Sequence, residues 1–257
     1  MAQQQEALPA PKVSIVVPVY NAGRFLEQTL QSVIRQDFTD WELLLINDCS
    51  TDNSVEIIQS HDDDKRIRLV NLEKNSGAAV ARNRGIALSR GKYIAFLDSD
   101  DVWMTDKLGK QVDFMEKGNH AFSFTEIRMT DEDGTPVSKV RTIPERVDYR
   151  YLLHKTVIAT SSVMLNKAYF GQFSMPLRRS GQDYATWLML LRKVPYAYCL
   201  QEPLVNYRVV KKSLSSNKLA SLKQVYDIQT SDEHIPGWRA AYNTCCFALY
   251  AFKKHFF

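Results

Sequence analysis

Cysteine and histidine are scarce in this chain, and neither forms a metal-binding pattern. The 257 residues include four cysteines and five histidines. Cys245 and Cys246 are adjacent and the other two cysteines are isolated, so no Cys-x-x-Cys or Cys/His spacing indicates a zinc site. Four cysteines are also too few for a disulfide scaffold in a chain of this length. We therefore predict a cytoplasmic protein with reduced cysteines.

Long hydrophobic runs are missing as well. No stretch approaches the roughly 18 consecutive apolar residues that a membrane-spanning helix needs. Residues 1–11 are polar, contain proline and lack the apolar centre of a secretory signal, so we predict a flexible tail there. The composition is 45% hydrophobic and 24% charged, which is ordinary for a globular protein and excludes disorder of the whole chain.

Three common catalytic or nucleotide-binding motifs are absent from the sequence. No G-x-G-x-x-G follows the first predicted strand, which disfavours a nicotinamide dinucleotide-binding fold. No G-x-x-x-x-G-K-[S/T] is present, so the chain is not a P-loop protein. No G-x-S-x-G occurs, which disfavours the hydrolases that place a serine nucleophile in this turn.

Charge is distributed unevenly along the chain. Residues 1–150 contain 19 Lys and Arg against 24 Asp and Glu, whereas residues 151–257 contain 14 against 5. A basic C-terminal part favours an anionic partner, such as phosphate groups or an acidic membrane surface. A solvated basic surface without a specific partner is the alternative that charge alone leaves open. We expect no nucleic-acid partner.

Short apolar runs alternate with helical patterns over the first hundred residues. Continuous apolar runs of this length are typical of strands that are buried on both faces. The predicted strands are Val13–Pro18, Trp41–Asn47, Ile67–Leu72 and Tyr93–Leu97, and the predicted helices are Arg24–Arg35, Asn53–Ser60 and Ala78–Leu88. This alternation predicts an α/β fold with a mostly parallel, doubly wound, Rossmann-like sheet.

The pattern loosens after the fourth predicted strand. A helix is predicted to start at Asp106 and to continue through Lys117, and a hairpin is predicted within residues 120–142. Further predicted elements are the strands Ser161–Asn166 and Leu204–Val209 and the helices Val147–His154, Asp183–Arg192 and Trp238–Phe257.

Polar residues directly follow three of the predicted strands. They are Pro18-Val19-Tyr20 after the first, Asp48 after the second, and Asp98-Ser99-Asp100-Asp101 after the fourth. Ligands bind an open sheet at the carboxyl ends of its strands, so we expect these groups to face one site. The Tyr ring and the lone Asp are suited to holding a base. The alternative for the acidic residues is a loop in which Asp101 or Asp106 caps the next helix.

The acidic cluster indicates a divalent cation. Three carboxylates within four residues repel one another unless a cation lies among them. Oxygen ligands suit Mg²⁺ or Mn²⁺, and these ions in turn bind diphosphates.

Several ordered motifs resemble glycosyltransferase family 2. Residues 14–54, SIVVPVYNAGRFLEQTLQSVIRQDFTDWELLLINDCSTDNS, resemble the opening of that family. NSGAAVARNRG at 75–85 and AFLDSDDVW at 95–103 follow in the family's order. Gly181-Gln182-Asp183-Tyr184 resembles the family's acidic segment before a helix, and Tyr207-Arg208 followed by Ser213 and Ser215 resembles its closing motif.

The resemblance covers about residues 12–217 and implies the GT-A fold. It also implies transfer of a sugar from a nucleotide diphosphate donor with inversion. Residues 12–103 would form the nucleotide-sugar half and residues 104–217 the acceptor half. Residues 218–257 would be a C-terminal helical extension.

The resemblance further implies a role for each matching residue. Asp183 matches the general base, and Asp48 matches the carboxylate that accepts the uracil N3–H; a helix-capping and a turn-capping role are the respective alternatives. Arg82 is implied to face the phosphates, with a structural role in its helix as the alternative. Asp100 is implied to bind Mn²⁺ or Mg²⁺ directly, and Asp98 to hold the ribose or support the metal. The nucleotide-sugar segments are completed by Pro18, Val19, Tyr20 and Ser99.

Two positions depart from the family pattern. Gln182 stands where a Glu often precedes the base, which leaves Asp183 as the carboxylate there. Residues 209–211 fill a stretch in which many members carry a His near the metal. Metal ligation would then depend on Asp100, the diphosphate and water, and we hypothesise that the Lys211–Lys212 pair counters the diphosphate charge. The Q-x-x-R-W motif of processive synthases is absent, which favours addition of one sugar per encounter.

The predicted C-terminal helix carries an apolar stripe. Its members recur at alternating steps of four and three residues and are Trp238, Tyr242, Cys245, Leu249, Phe252 and Phe256. One interpretation is an interfacial helix that rests on an anionic membrane near a lipid-linked acceptor. The other is a helix that packs on the catalytic domain or on a second subunit, as in a homodimer.

The predicted function is that of an inverting hexosyltransferase. It would move one hexose from a UDP-sugar donor to a hydroxyl of a surface-glycan acceptor, such as a lipid-linked O-antigen or capsule unit, at the inner face of a bacterial cell membrane. One alternative is a non-catalytic sugar-nucleotide-binding protein. Another is a sugar nucleotidyltransferase, which would need a Gly-rich, Lys-containing loop where this chain has PVYNAG.

Overall fold

The structure is a computed structural model that describes residues 10–137, 143–209 and 218–256. Within these ranges the strands are β1 (Val13–Val19), β2 (Trp41–Asn47), β3 (Ile67–Asn71), β4 (Tyr93–Phe96), β5 (Val102–Trp103), β6 (Phe122–Thr130), β7 (Arg146–Val147), β8 (Met164–Asn166) and β9 (Ala197–Arg208). The helices are α1 (Leu26–Ile34), α2 (Ser54–Gln59), α3 (Ala78–Leu88), α4 (Lys107–Lys117), α5 (Tyr149–His154), α6 (Lys167–Phe170), α7 (Gln182–Leu191), α8 (Lys218–Ser231) and α9 (Gly237–Phe256).

The strands form one mixed sheet in the order β3-β2-β1-β4-β8-β6-β9-β5, and β7 pairs with β9. β1 is parallel to both β2 and β4, and β2 is parallel to β3. The chain therefore winds outward from β1 in both directions, and the predicted doubly wound parallel sheet is confirmed for this half. Val16 of β1 lies level with Leu44 on one side and Phe96 on the other.

Both faces of the parallel half are buried, which is why its strands are continuously apolar. One face packs in a core with α3 and α7, and this core includes Val16, Leu44, Phe96, Ala81 and Trp187. The opposite face packs in a core with α1 and α4, and this core includes Ile15, Leu43, Ala95, Leu30 and Leu108.

Helix α3 approaches the sheet closely at Gly85. A Cβ atom there would lie 2.3 Å from the Val16 side chain, so a larger residue would push the helix away. Arg82 lies one turn earlier on the same helix, where side chains three residues apart share a face. The close approach at Gly85 therefore brings Arg82 against the carboxyl edge of the sheet.

The second half of the sheet has a topology that the sequence pattern did not predict. β8 runs antiparallel between β4 and β6, and β6 is parallel to β9. The predicted strand Ser161–Asn166 is shorter in the structure, because a 3₁₀ turn occupies Thr160–Ser162. The predicted strand Leu204–Val209 is the end of the longer β9. After β6 the chain turns back and Thr130 bridges Pro136, whereas the rest of the predicted hairpin, residues 138–142, lies outside the described residues.

The two C-terminal helices pack on each other, on α5 and on the core that contains Trp187. α9 contacts both α8 and α5. α8 contributes Val225 and Ile228 to the core that contains Trp187. Ala240 and Asn243 form the buried side of α9.

Much of the predicted apolar stripe of α9 is exposed. Trp238, Tyr242 and Leu249 are 71%, 65% and 64% exposed, and Cys245 is exposed as well, although the Tyr242 ring makes an edge contact with His154 of α5. The helix therefore packs on α5 and α8, as one interpretation expected, but mainly through residues outside the stripe. The side chains of Phe252 and Phe256 lie outside the description. No helix in the described ranges combines the length and apolarity that crossing a bilayer requires.

Candidate active site

The ends of β1 and β2 bring the predicted base-binding residues together. Pro18 and Val19 lie level with the last residues of β2, and the Asp48 N–H donates to the Val19 carbonyl at 2.8 Å. The Val19 side chain is fully buried in the core, so it supports this edge from beneath. Tyr20 is 53% exposed, which leaves its ring free to contact a ligand.

Asp48 holds the loop that leads into α3. One carboxylate oxygen accepts the Ser76 N–H and the other accepts the Gly77 N–H, each at 2.7 Å. Gly77 adopts a φ of +88°, a conformation that glycine adopts without steric penalty. Asp48 is buried, and each oxygen keeps a second lone pair. The turn-capping role is therefore observed, and acceptance of a base N–H remains a prediction.

Two strained residues lie at the same edge. Asn21 follows β1 with a φ of +48°, and Cys49 follows β2 with a φ of +61°. Left-handed backbone costs non-glycine residues of order 1–3 kcal/mol and persists where the surroundings hold it. Here the Asn21 side-chain oxygen accepts the Thr51 N–H at 2.8 Å, which ties the two loops together.

The acidic loop after β4 directs its three carboxylates differently. Asp98 accepts a hydrogen bond from Arg82 Nη2 at 2.5 Å. Asp101 is almost completely buried and accepts the Ser161 hydroxyl at 2.5 Å and the Arg208 N–H at 2.8 Å. Asp101 therefore faces the interior and does not cap α4.

Asp106 does not cap α4 through its side chain either. It occupies the N-cap position without a side-chain hydrogen bond to the backbone, and its carboxylate pairs with Lys110 at 2.8 Å. The capping interpretation of the acidic residues is therefore wrong at both positions.

Asp100 lies where negative charge accumulates. Burial, followed by the charge of Asp98, raises the pKa of Asp100 to about 6. A cation placed against Asp100 and Asp98 would relieve this repulsion. Within the described residues, no three Asp, Glu, His or Cys side chains are grouped so that they could hold a metal ion. The pair therefore fits a hard cation whose other ligands come from a diphosphate and water.

Arg82 is the central cation of the site. Its side chain is 7% exposed, and its Nε and Nη1 atoms have no hydrogen-bond partner within the described residues. Burial would lower the pKa of Arg82, but the charges of Asp98, Asp183 and Asp100 outweigh burial and raise it. Arg82 is thus paired with the acidic loop through Asp98 and feels the charge of Asp183, while its Nε and Nη1 atoms are buried.

Asp183 is the second residue of α7. Gly181 precedes the helix with a φ of +72°, and the first helical residue, Gln182, is buried. Asp183 is the acidic side chain in the first turn of the helix. One Asp183 oxygen, Oδ2, accepts the Thr160 hydroxyl at 3.2 Å. A carboxylate is a side chain that can act as a general base.

Arg208 is a site residue that the sequence analysis did not assign. Its Nε donates to the Asp100 carbonyl at 2.8 Å, and its Nη2 donates to Gln28 at 2.7 Å. Its guanidinium carbon also lies 4.3 Å from the centre of the Phe25 ring. The sequence feature that could have identified Arg208 is its place in the Tyr207-Arg208 segment of the family resemblance. Lys211 and Lys212, which were hypothesised to counter the diphosphate, lie outside the described residues.

A cavity of about 1140 Å³ lies at the opposite edge of the sheet. Its wall includes the cations Lys12, Arg90, Lys92 and Lys167. Each is already engaged: Lys12 and Lys92 pair with Glu116, Arg90 pairs with Glu42, and Lys167 donates to the Ser89 carbonyl. None of the predicted site residues lines this cavity.

Comparison with known proteins identifies the family of the chain. The profile of the family described as Glycosyl transferase family 2 matches residues 14–180. TuaG of Bacillus subtilis (strain 168), provisionally named a teichuronic acid biosynthesis glycosyltransferase, is 43% identical over 242 residues, which cover 94% of this chain and 95% of TuaG. WfgD of Escherichia coli, named a UDP-Glc:alpha-D-GlcNAc-diphosphoundecaprenol beta-1,3-glucosyltransferase, is 33% identical over 251 residues, which cover 95% of each chain.

A solved structure shows the same fold. Residues 1–349 of S. aureus TarS in complex with UDP-GlcNAc match with a TM-score of 0.69 at 18% identity, over 92% of this chain and 71% of that chain. The GT-A fold and the family resemblance expected from the motifs are both confirmed. The chain is a glycosyltransferase and belongs to glycosyl transferase family 2.

Proposed function

We propose that this enzyme transfers one hexose from a UDP-sugar to a hydroxyl of a lipid-linked surface-glycan acceptor, with inversion. The observation that carries the proposal is the electrostatic cluster of Arg82, Asp98, Asp100 and Asp183 at the carboxyl edge of the sheet. This cluster supports the proposal because a cation suited to a diphosphate lies near a candidate base, and both would serve the transfer.

The donor half of the proposal depends on the β1 and β2 loops. The exposed Tyr20 ring offers a stacking surface for a base, and Asp48 retains lone pairs for the base N–H. WfgD is named for UDP-Glc, and TarS was solved with UDP-GlcNAc, which supports a uridine nucleotide.

Asp100 and Asp98 would hold Mn²⁺ or Mg²⁺. When bound, the ion would neutralise the negative charge that develops on the diphosphate leaving group. The positive charge of Arg82 beside Asp98 would be a second, protein-based contribution, because a guanidinium also offsets negative charge on phosphate.

Asp183 would act on the acceptor. As the acceptor oxygen forms its bond to the anomeric carbon, the bond from that carbon to the phosphate oxygen breaks, and the hydroxyl proton passes to Asp183. An alcohol is a poor nucleophile at neutral pH without such a base. One displacement without a covalent sugar–enzyme intermediate inverts the anomeric configuration.

Nucleotide release with a panel of donors tests this function. The panel contains UDP-Glc, UDP-Gal, UDP-GlcNAc, UDP-GalNAc, GDP-Man and dTDP-rhamnose, each with Mn²⁺ or with EDTA, and with diphosphoundecaprenol-linked GlcNAc as acceptor. We expect acceptor-dependent release of UDP from one UDP-sugar, and loss of that release in EDTA. Release from GDP-Man or dTDP-rhamnose alone would remove UDP as the donor nucleotide.

We further propose that the exposed α9 stripe, defined as Trp238, Tyr242, Cys245 and Leu249, rests on an anionic membrane. Trp and Tyr are the side chains that favour the interface between water and lipid. Arg239 is exposed beside Trp238, and the C-terminal part of the chain carries the basic excess. A Cβ on Gly181 would meet Gln224 and Ile228 of α8, so α8, against which α9 packs, lies directly behind the start of the Asp183 helix.

Removal of this stripe should weaken membrane binding. We expect a Trp238→Ser/Leu249→Ser double variant to bind phosphatidylglycerol vesicles at least about tenfold more weakly than the parent, because two large apolar contacts are lost. Co-sedimentation measures binding, and Val137→Ser, which removes a 53% exposed apolar side chain elsewhere, is the matched control. If the double variant binds vesicles normally but changes from dimer to monomer in light scattering, the stripe is a subunit interface instead.

A further inference from the structure

The 3₁₀ turn Thr160–Ser162 lies between the acidic loop and Asp183. It is buried, with exposed fractions of 5% for Thr160 and 0% for Ser161 and Ser162. No motif in the sequence indicates this turn. The turn leads into β8, which pairs with β4 beneath the acidic loop. Adjacent hydroxyl groups on this turn contact the two parts of the site separately.

Ser161 joins both ends of the acidic loop. Its hydroxyl accepts the Asp98 N–H at 3.0 Å and donates to the Asp101 carboxylate at 2.5 Å. Its carbonyl accepts the Trp103 indole N–H at 2.8 Å. One buried residue therefore contacts the backbone of Asp98 and the side chains of Asp101 and Trp103, on both sides of Asp100. The Thr29 hydroxyl braces the same loop from α1, at the carbonyls of Ser99 (3.0 Å) and Asp101 (2.9 Å).

Thr160 contacts the candidate base itself. Its hydroxyl donates to Oδ2 of Asp183, which leaves Oδ1 of that carboxylate to accept a proton. A hydrogen bond to one oxygen restricts rotation of the carboxylate about its terminal bond. Such restriction places the other oxygen in a defined direction, and misplacement by about 1 Å can reduce a rate about 100-fold.

We propose that Thr160 and Ser161 are positioning residues that set the acidic loop and the base at a fixed separation. Thr160 orients Asp183 for proton removal from the acceptor, and Ser161 shapes the Asp98–Asp101 loop for the metal-bound diphosphate. The inference rests on the proposed function, since it assigns these hydroxyls to a transfer reaction. It predicts that two neighbouring residues have separable kinetic effects.

The test compares Thr160→Val, Thr160→Ser and Ser161→Ala in the full-length enzyme. Val has nearly the shape of Thr without the hydroxyl, whereas Ser keeps the hydroxyl. We expect Thr160→Val to lower kcat about 10- to 100-fold while KM for the donor and Kd for UDP with Mn²⁺ change less than twofold. Thr160→Ser should keep kcat within about threefold of the parent.

Ser161→Ala should weaken UDP binding with Mn²⁺, whereas Thr160→Val should lower kcat. We expect Kd for UDP with Mn²⁺, measured by calorimetry, to rise about tenfold, because the buried Asp98 N–H and Asp101 lose a shared partner. UDP binding in EDTA should be unchanged, and circular dichroism confirms folding of each variant. Equal loss of kcat in Thr160→Val and Thr160→Ser, or an unchanged Kd in a folded Ser161→Ala, would overturn the inference. An inactive parent would instead refute the proposed function.

Discussion

Asp183→Asn is expected to lower kcat for sugar transfer by about 10³-fold, because an amide cannot take the acceptor proton. The substitution keeps the shape of the side chain and an oxygen that can still accept the Thr160 hydroxyl. Asp183 is one of three acidic residues whose charges act on Arg82, so the variant removes charge at the centre of the site. Nucleotide release at saturating donor and acceptor measures the effect.

The same variant separates an enzyme from a non-catalytic binder of sugar nucleotides. UDP binding in the presence of Mn²⁺ should stay within about twofold of the parent, since Asp183 is proposed to act on the acceptor hydroxyl and not to bind the nucleotide. Asp113→Asn is the matched control, because Asp113 is exposed on α4 and its one ion pair within the described residues is with Lys117, at 3.1 Å. If Asp183→Asn keeps more than a tenth of the parent's kcat, Asp183 is not the base.

The parallel half of the fold follows from sequence because the strands are buried on both faces. Val16, Leu44 and Phe96 point into one core, and the residues next to them in each strand point into the other core. Both sets are apolar, so the apolar run of each strand is uninterrupted. The second half of the sheet has no comparable signal. β8 has three residues, and β6 pairs with β9 over most of its length, with a register shift near Glu126. Short strands and distant register are set by tertiary contacts that no local pattern encodes.

The candidate site, like the fold, has residues that the sequence predicts and residues that it does not. Asp98, Asp100 and Asp183 stand in local motifs, so their residue types and positions are visible in the sequence. Ser161 and Arg208 contact Asp101 across 60 and 107 residues of sequence. Arg208 stands in a family segment that does not reveal this contact, and Ser161 stands in no motif. Asp101 shows why the distinction matters: it looks like a third metal ligand in the sequence, but its two buried hydrogen bonds turn it inward.

Asp100→Asn is expected to lower kcat/KM by about 10²- to 10³-fold and at the same time to stabilise the metal-free fold. The loss of activity follows from removal of the carboxylate that would hold the ion against the diphosphate. The gain in stability follows from the electrostatics of the loop, because burial and Asp98 raise the pKa of Asp100 to about 6. A raised carboxyl pKa means that the folded state disfavours the charged form.

The pH dependence of that gain has a defined sign. In the unfolded chain Asp100 ionises near its ordinary pKa of about 3.9. The free-energy cost of carrying ionised Asp100 in the folded parent is therefore absent at lower pH, grows between about pH 4 and pH 6, and is complete above pH 6. In EDTA at pH 7.5 the variant should therefore be more stable than the parent by about 2 kcal/mol, and the difference should be smaller at pH 5.0. Thermal unfolding at both pH values measures it, with Asp113→Asn again as the control.

Mn²⁺ should reverse the order of stability. A cation that binds the folded parent through Asp100 stabilises it by mass action, whereas the variant has lost that ligand. With UDP and Mn²⁺ at pH 7.5 we expect the melting temperature of the parent to rise more than that of Asp100→Asn. Equal shifts for the two proteins would show that the ion is held elsewhere. A metal-free variant no more stable than the parent would show that Asp100 carries no electrostatic penalty, and with it the physical argument for a cation at this loop would fail.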